Sequence, residues 1–205
     1  MASADLRAFA RANLPEPPAR VLEIGAGSGR LARALRAAGY DVVAIDPGSD
    51  SDDVRPVALV DLEEPDGSFA AALAIVSLHH VDPLEESCRR LGELLEPGGR
   101  LVVDEFDVGA FDVTAAAWWL EQCRALGEPQ PKTAEELVHE HRDHLHPLGR
   151  ILAALDPDFE LGPPVRGPWL HYWKLGDAFR AVEEEAIARG DVPATGARLV
   201  GRRRS

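Results

Sequence analysis

Five short runs of almost unbroken apolar residues constrain the fold of this chain: "RVLEI", "DVVAID", "VALVDL", "AALAIVSL" and "RLVVDEF". A strand with one wet face alternates apolar and polar side chains. These runs do not, so both faces of each strand must be covered. Helical patterns accompany them. In "GRLARALRAAGY", Leu31, Leu35 and Ala38 recur at helical spacing and the segment closes on Gly39. In "DPLEESCRRLGELLEPGG", Leu84, Cys88, Leu91 and Leu95 form one stripe, which Pro97-Gly98-Gly99 stops. An amphipathic segment from Asp5 to Asn13 precedes them and ends at "LPEPP". Strands and helices in this order predict an α/β fold with a mostly parallel sheet.

After the fifth run the rhythm breaks. Residues 107–147 carry two helical segments, Val113 to Leu126 and Thr133 to Leu145, joined through "GEPQPKT". Such an insertion lies at the carboxyl edge of the sheet, where open α/β folds bind ligands. A helix over Leu148 to Leu155, a strand within "FELGPPVRGPWLHYW", a helix from Asp177 to Arg189 and a last strand "ARLVGR" complete the pattern.

The 205 residues suit a single domain with one insertion. A net charge of −13 disfavours a nucleic-acid partner, and the basic tail "GRRRS" reads as a solubilising end. No run reaches the roughly 18 apolar residues of a membrane span, and no secretory signal opens the chain. Cys88 and Cys123 in helical contexts point to reduced thiols and a cytoplasmic protein. A monomer and a homodimer both remain compatible with the sequence.

The sharpest chemistry lies in "VLEIGAGSGR", which joins the first strand to the first sheet-covering helix. Gly25, Gly27 and Gly29 permit a tight turn and close approach of a ligand to the backbone. Dinucleotide sites space their glycines G-x-G-x-x-G. Here the spacing is E-x-G-x-G-x-G. A carboxylate at Glu23 would repel a pyrophosphate and suit an ammonium or sulfonium.

With these residues the chain resembles the class I S-adenosylmethionine-dependent methyltransferases, in their type 11 small-molecule branch. "VLEIGAGSGR" resembles the family's first motif, and "VVAIDPG" its second strand with the acid Asp46. "VDLEEPDGSF", "IVSLHHV" and "LLEPGGRLVVDEF" resemble the elements that follow, in the family's order. The resemblance covers the chain up to Phe106, and the remainder more loosely. It departs at Phe69-Ala70, where the family often has Phe-Asp, and at "PGSDSDDVRP", a loop in place of a helix.

The resemblance implies a three-layer Rossmann-like methyltransferase fold: a mostly parallel seven-stranded sheet, its last strand antiparallel, with a helical insertion after the fifth. Within one domain over 1–205, residues 1–19 would form an N-terminal helix and lid, and 20–106 the cofactor-binding core. Residues 107–147 would cover the active site, and 148–205 would complete the sheet. The cofactor would be S-adenosylmethionine, leaving as S-adenosylhomocysteine. The turn Gly25-Ala26-Gly27, with Gly29, would hold its methionine end, shaped by Glu23. Asp46, followed by Pro47, would accept from the ribose hydroxyls, Asp61 and Leu62 would edge the adenine, and Ser77 and Leu78 would lie beside the methionyl group.

Methyl transfer from a sulfonium is an in-line displacement, favoured by positioning and exclusion of water. The partner would be a small organic acceptor, and the expectation extends to an aromatic compound of secondary metabolism. All four tryptophans lie in the second half of the chain. Trp118 and Trp173 are candidate pocket walls or fill the interface between insertion and sheet. Asp104 and Glu105 end the fifth strand as pocket or solvated groups, with Glu105 carried as a substrate contact. An acceptor that must lose a proton needs a base, and His80 is expected to be the exposed member of His79-His80.

"HEHRDHLH" holds four histidines in eight positions. "TAEE" reads as a capping box that opens this helix. Leu137, His141, His144, Leu145 and Leu148 then share an inward stripe, and His139 shares another with Asp143. His141 and His144 are therefore candidates for the pocket. Zinc would need a third ligand that the pattern lacks, so no metal is expected. Two rivals stand beside the methyltransferase: an NAD(P)-binding Rossmann oxidoreductase, and a non-catalytic module that binds S-adenosylmethionine.

Overall fold

Alternate residues of each central strand feed opposite helical layers. In the computed structural model, which describes residues 4–205, β1 (Arg20–Ile24), β2 (Asp41–Ile45), β3 (Phe69–Ile75) and β4 (Leu95–Phe106) pair in parallel. Leu22, Ile24, Val43, Ile45, Ala72 and Val103 pack on one face. Val21, Val42, Ala44, Ala71, Leu73 and Val102 pack on the other. This double burial explains the unbroken apolar runs.

The first face is covered by α3 (Leu84–Leu94) and α6 (Leu148–Leu155), through Leu84, Cys88, Leu91, Ile151 and Leu155. The second is covered by α1 (Ala4–Asn13) and α2 (Arg30–Ala37), through Ala10, Leu31, Ala32 and Leu35. Strand β7 (Gly196–Arg203) runs antiparallel to β4, as expected of the last strand. The sheet has seven strands in the order β2-β1-β3-β4-β7 and then β5 (Phe159–Leu161), with β6 (Val165–Gly167) also on β7.

Three local expectations need correction. "VALVDL" is no strand; Leu59–Asp61 form a 3-10 turn, and Leu59 and Leu62 pack down into the core. "AALAIVSL" stops being strand at Ile75, because Val76 turns to φ 51 and a 3-10 turn follows at Leu78–His80. The strand sought in "FELGPPVRGPWLHYW" is two short ones, β5 (Phe159–Leu161) and β6 (Val165–Gly167). Pro163 and Pro164 separate them, since proline offers no N–H to a ladder.

The insertion forms α4 (Val113–Ala125) and α5 (Ala134–His144). Thr133 and Glu136 close the expected capping box on α5. With α7 (Arg180–Arg189) these helices enclose a third cluster around Phe106, Phe111, Trp119 and Leu170. Helix α1 is tied down by Asp5, whose carboxylate meets Arg180 and Arg198 at 2.5 Å. The first three positions of the expected N-terminal lid lie outside the described residues. Among the described residues no helix is long and apolar enough to cross a membrane. Cys88 and Cys123 are buried free thiols, and burial pushes Cys88 up to about 12.

Candidate active site

The carboxyl ends of β1 and β2 are stitched together by Asp46. Its Oδ2 accepts the N–H of Gly27 at 2.8 Å and its Oδ1 that of Gly48 at 2.9 Å. The Gly25 and Ala26 N–H groups both donate to Ile45 O, at 2.9 and 3.0 Å. Gly25 has φ +69, and a Cβ there would stand 2.4 Å from Ser77 Cβ. No other residue fits that crossing. Gly29, at φ +72, opens α2 with Val54 close behind it, so its role is in the turn itself.

Three cavities meet at Val76. The first, of about 380 Å³, runs from Gly25 past Asp46 and Pro47 to Val57, Ala58 and Leu59, with Ser77 and His80 on its near side. The second, of about 360 Å³, lies under the insertion. The third, of about 260 Å³, includes Glu23, Gly25, Ala26, Asp104 and Leu6 of α1. Val76 lines all three. A β-branched residue at positive φ is strained, and such strain clusters at functional sites.

Glu23 is the unusual acid of the third cavity. It is only 4% exposed, and its Oε2 has no hydrogen-bond partner. Burial raises its pKa to about 7, with Arg36 pulling weakly the other way. Burial also raises Asp104, against the pull of Arg198, whose guanidinium lies 2.8 Å away.

Glu105 does not face the acceptor side, contrary to expectation. It is fully buried, and its Oε1 accepts the N–H groups of Ser77 and Leu78 at 2.8 and 2.6 Å. Its Oε2 meets His79 Nδ1 at 2.5 Å. Leu78 is likewise core, and Ser77 alone of that pair reaches the first cavity. Asp61 and Leu62 lie beyond the rim: Asp61 is exposed, Leu62 is buried beneath, and Val57 to Leu59 make the wall.

The second cavity is walled by Phe106, Trp169, Trp173, His79, His80 and His141, with His144 and Glu140 at its edge. Trp169 stacks on Phe106 at 4.3 Å and Trp173 on Trp119 at 3.9 Å. Trp119 Nε1 donates to Trp173 O at 2.7 Å, fixing the wall from behind. Trp118 packs against the third cluster and does not line the cavity, so the expected substrate contact passes to Trp169 beside Trp173.

His80 is the exposed member of its pair and borders the first two cavities. Partial burial, then the neighbouring His79, lower its pKa. Helix α5 divides its histidines as its geometry requires. His141 and His144 reach the cavity, although His144 is largely exposed, while His139 pairs outside with Asp143 at 3.0 Å. His146 pins the insertion, with Nε2 3.0 Å from Val81 O. Among the described residues no three metal-ligating side chains converge.

A family model described as a methyltransferase domain matches residues 2–150. The chain belongs to the class I S-adenosylmethionine-dependent methyltransferases. An uncharacterized methyltransferase of Mycobacterium bovis is 39% identical over 98 residues, which are 43% of this chain and 40% of that one. The chain thus spans about two fifths of the length of the curated relatives it matches first.

The fold of this methyltransferase is shared more widely. An S-adenosylmethionine-dependent methyltransferase from Mesorhizobium loti superposes with a TM-score of 0.63 at 19% identity, over 98% of both chains. A 1,6-didemethyltoxoflavin-N1-methyltransferase of Burkholderia thailandensis, solved with 1,6-didemethyltoxoflavin and S-adenosylhomocysteine, has a TM-score of 0.55 at 18% identity. It is covered over 72% of its length, by 92% of this chain. The residues present suit the family's cofactor. The ridge leaves open space at Gly27, where an added Cβ would meet nothing within 4 Å, and the orphaned Glu23 Oε2 offers a buried acceptor to a cation.

Proposed function

We propose that this chain transfers the methyl group of S-adenosylmethionine to a small organic acceptor held beneath the insertion. The observation that carries the reading is the meeting of three cavities at Val76. Two of them flank the glycine ridge, and the third opens on the aromatic wall. The cofactor supplies a methyl group activated by its positive sulfur.

The protein's part is binding and positioning. Asp46 holds ribose hydroxyls with the lone pairs that Gly27 and Gly48 leave free, and charge-assisted bonds of this kind are strong. Pro47, Val57, Ala58 and Leu59 flank the adenine. Gly25, Ala26 and Ser77 receive the methionine end, and Glu23 ionises against its charge. Helix α1, through Leu6, covers that end. Phe106, Trp169 and Trp173 exclude water from the acceptor, and their ring faces favour a positive centre. This wall suits a planar acceptor, in keeping with a compound of secondary metabolism. His80, His141 and His144 border the acceptor. The buried thiols suit a reducing cytoplasm.

The test is a screen with S-adenosylmethionine labelled in its methyl group, against a panel of phenols, heteroaromatic amines and metabolite extracts, read by mass spectrometry. The expected result is an acceptor that gains one labelled methyl as S-adenosylhomocysteine accumulates. Cofactor binding with no transfer to any compound would favour a non-catalytic module instead.

A further inference from the structure

Resting on that reading, we infer that the acceptor presents a hydroxyl group, and that His79, oriented by Glu105, takes its proton so that the methyl is placed on oxygen.

The tautomer of His79 is set by its partner. A carboxylate only accepts hydrogen bonds, and Glu105 Oε2 lies 2.5 Å from His79 Nδ1. The hydrogen between them therefore belongs to Nδ1. Glu105 cannot swing away, because Oε1 is held by the N–H groups of Ser77 and Leu78. In its neutral form the ring then carries its lone pair on Nε2. His79 lines the second cavity, and its bond to Glu105 is made by Nδ1, which leaves Nε2 as the nitrogen not held by that carboxylate. The result is a base with its orientation set by a buried acid, the arrangement that triad chemistry relies on. His80 has no such orienting partner: among the described residues its ring makes no hydrogen bond.

A second imidazole on the same wall is fixed in the same sense. His141 Nδ1 lies 2.8 Å from Leu137 O, and a carbonyl also only accepts. Its Nε2 is therefore an acceptor too, on a ring packed against Trp173 at 4.8 Å. The nearby Glu140 is engaged by Lys132. A cavity with two fixed acceptor nitrogens and aromatic walls selects a flat ligand that brings donors, which a hydroxylated ring does.

In the step, the hydroxyl proton passes to His79 Nε2. The oxygen lone pair forms the new C–O bond as the carbon–sulfur bond breaks, and that electron pair stays on sulfur, which becomes a neutral thioether. His79 then returns the proton to solvent. Glu105 is the positioning residue.

The test is Glu105→Gln. Its amide oxygen keeps the Ser77 and Leu78 N–H groups, which turns its NH2 toward His79 Nδ1. The hydrogen must then move to Nε2, and the base is lost. With ¹⁵N-histidine labelling, NMR of the wild type is expected to show His79 protonated at Nδ1, and of Glu105→Gln at Nε2. Calorimetry is expected to show unchanged affinity for S-adenosylhomocysteine in the variant. Turnover of the screened acceptor should fall on the order of 10²–10⁴-fold, the usual contribution of a positioned base, and the product should be a methyl ether. His79→Asn carries the turnover measurement if Glu105→Gln does not fold. Wild-type His79 protonated at Nε2, a product methylated on nitrogen or carbon, or a flipped tautomer with full turnover overturns the inference. Failure of the wild type to bind S-adenosylhomocysteine would instead strike the methyltransferase reading itself.

Discussion

Glu183 Oε2 lies 2.8 Å from His171 Nδ1 and also accepts the His171 backbone N–H at 2.8 Å. Its Oε1 takes the N–H groups of Trp169 and Leu170, at 2.7 and 2.8 Å. Glu105 likewise takes the N–H groups of Ser77 and Leu78 on Oε1 and meets the His79 ring with Oε2. Both segments read X-Leu-His, both form 3-10 turns, and both carboxylates are fully buried. One turn places His79 on the acceptor cavity, and the other places Trp169 there. Glu183→Ala would strand three buried N–H groups and should cost about 3–5 kcal/mol of stability. Chemical denaturation checks this. Unchanged stability would mean that water replaces the carboxylate without loss.

Gly25→Ala should abolish cofactor binding while leaving a folded sheet. The new Cβ would meet Ser77 Cβ at 2.4 Å, and an L residue at φ +69 adds about 1–2 kcal/mol of strain. Calorimetry with S-adenosylhomocysteine and circular dichroism together separate these outcomes. Retained affinity would place the methionine end away from the ridge.

Glu23 gives a pH signature. Its pKa rises from 4.5 in the unfolded chain to about 7 in the folded one, because burial opposes the charge. Below pH 4.5 both states hold the proton and the group contributes nothing. Between 4.5 and 7 only the unfolded state ionises, so stability falls as pH rises. Above 7 the penalty is constant, at about 3 kcal/mol. Glu23→Gln should flatten this slope, stabilise the ligand-free protein at pH 8 by up to about 3 kcal/mol, and weaken cofactor binding. Denaturant midpoints from pH 5 to 8 provide the measurement, and an unaltered slope would contradict the assignment.

Asp46→Ala should weaken S-adenosylhomocysteine binding by about 1.5–3 kcal/mol, the range for hydrogen bonds to a charged group. The same variant frees the Gly27 and Gly48 N–H groups, so protease sensitivity of the two loops should rise with it. Unchanged affinity would place the ribose elsewhere.

The layered fold was legible because double burial writes itself into consecutive apolar residues, as in Val42 to Ile45. The glycine turn was legible because its residue types are dictated by backbone geometry. Asp61 and Glu105 were misplaced for a different reason. Their positions depend on where a strand stops, and strand ends are set by tertiary contacts such as Val76 N–H on Asp104 O. The Glu105–His79 contact spans 26 positions and follows only from the register that pairs Ile75 with Asp104. That register, had it been inferred, would have brought the two residues together. Trp118 and Trp119 were indistinguishable in sequence, because a one-residue rotation on α4 decides which faces the core.

The glycine ridge and its two flanking cavities are assigned to S-adenosylmethionine. Isothermal titration of the wild-type protein with S-adenosylhomocysteine, beside NADH, tests this assignment most directly. One S-adenosylhomocysteine bound per chain, with no binding of NADH, is the expected result. Binding of NADH with none of S-adenosylhomocysteine would contradict it.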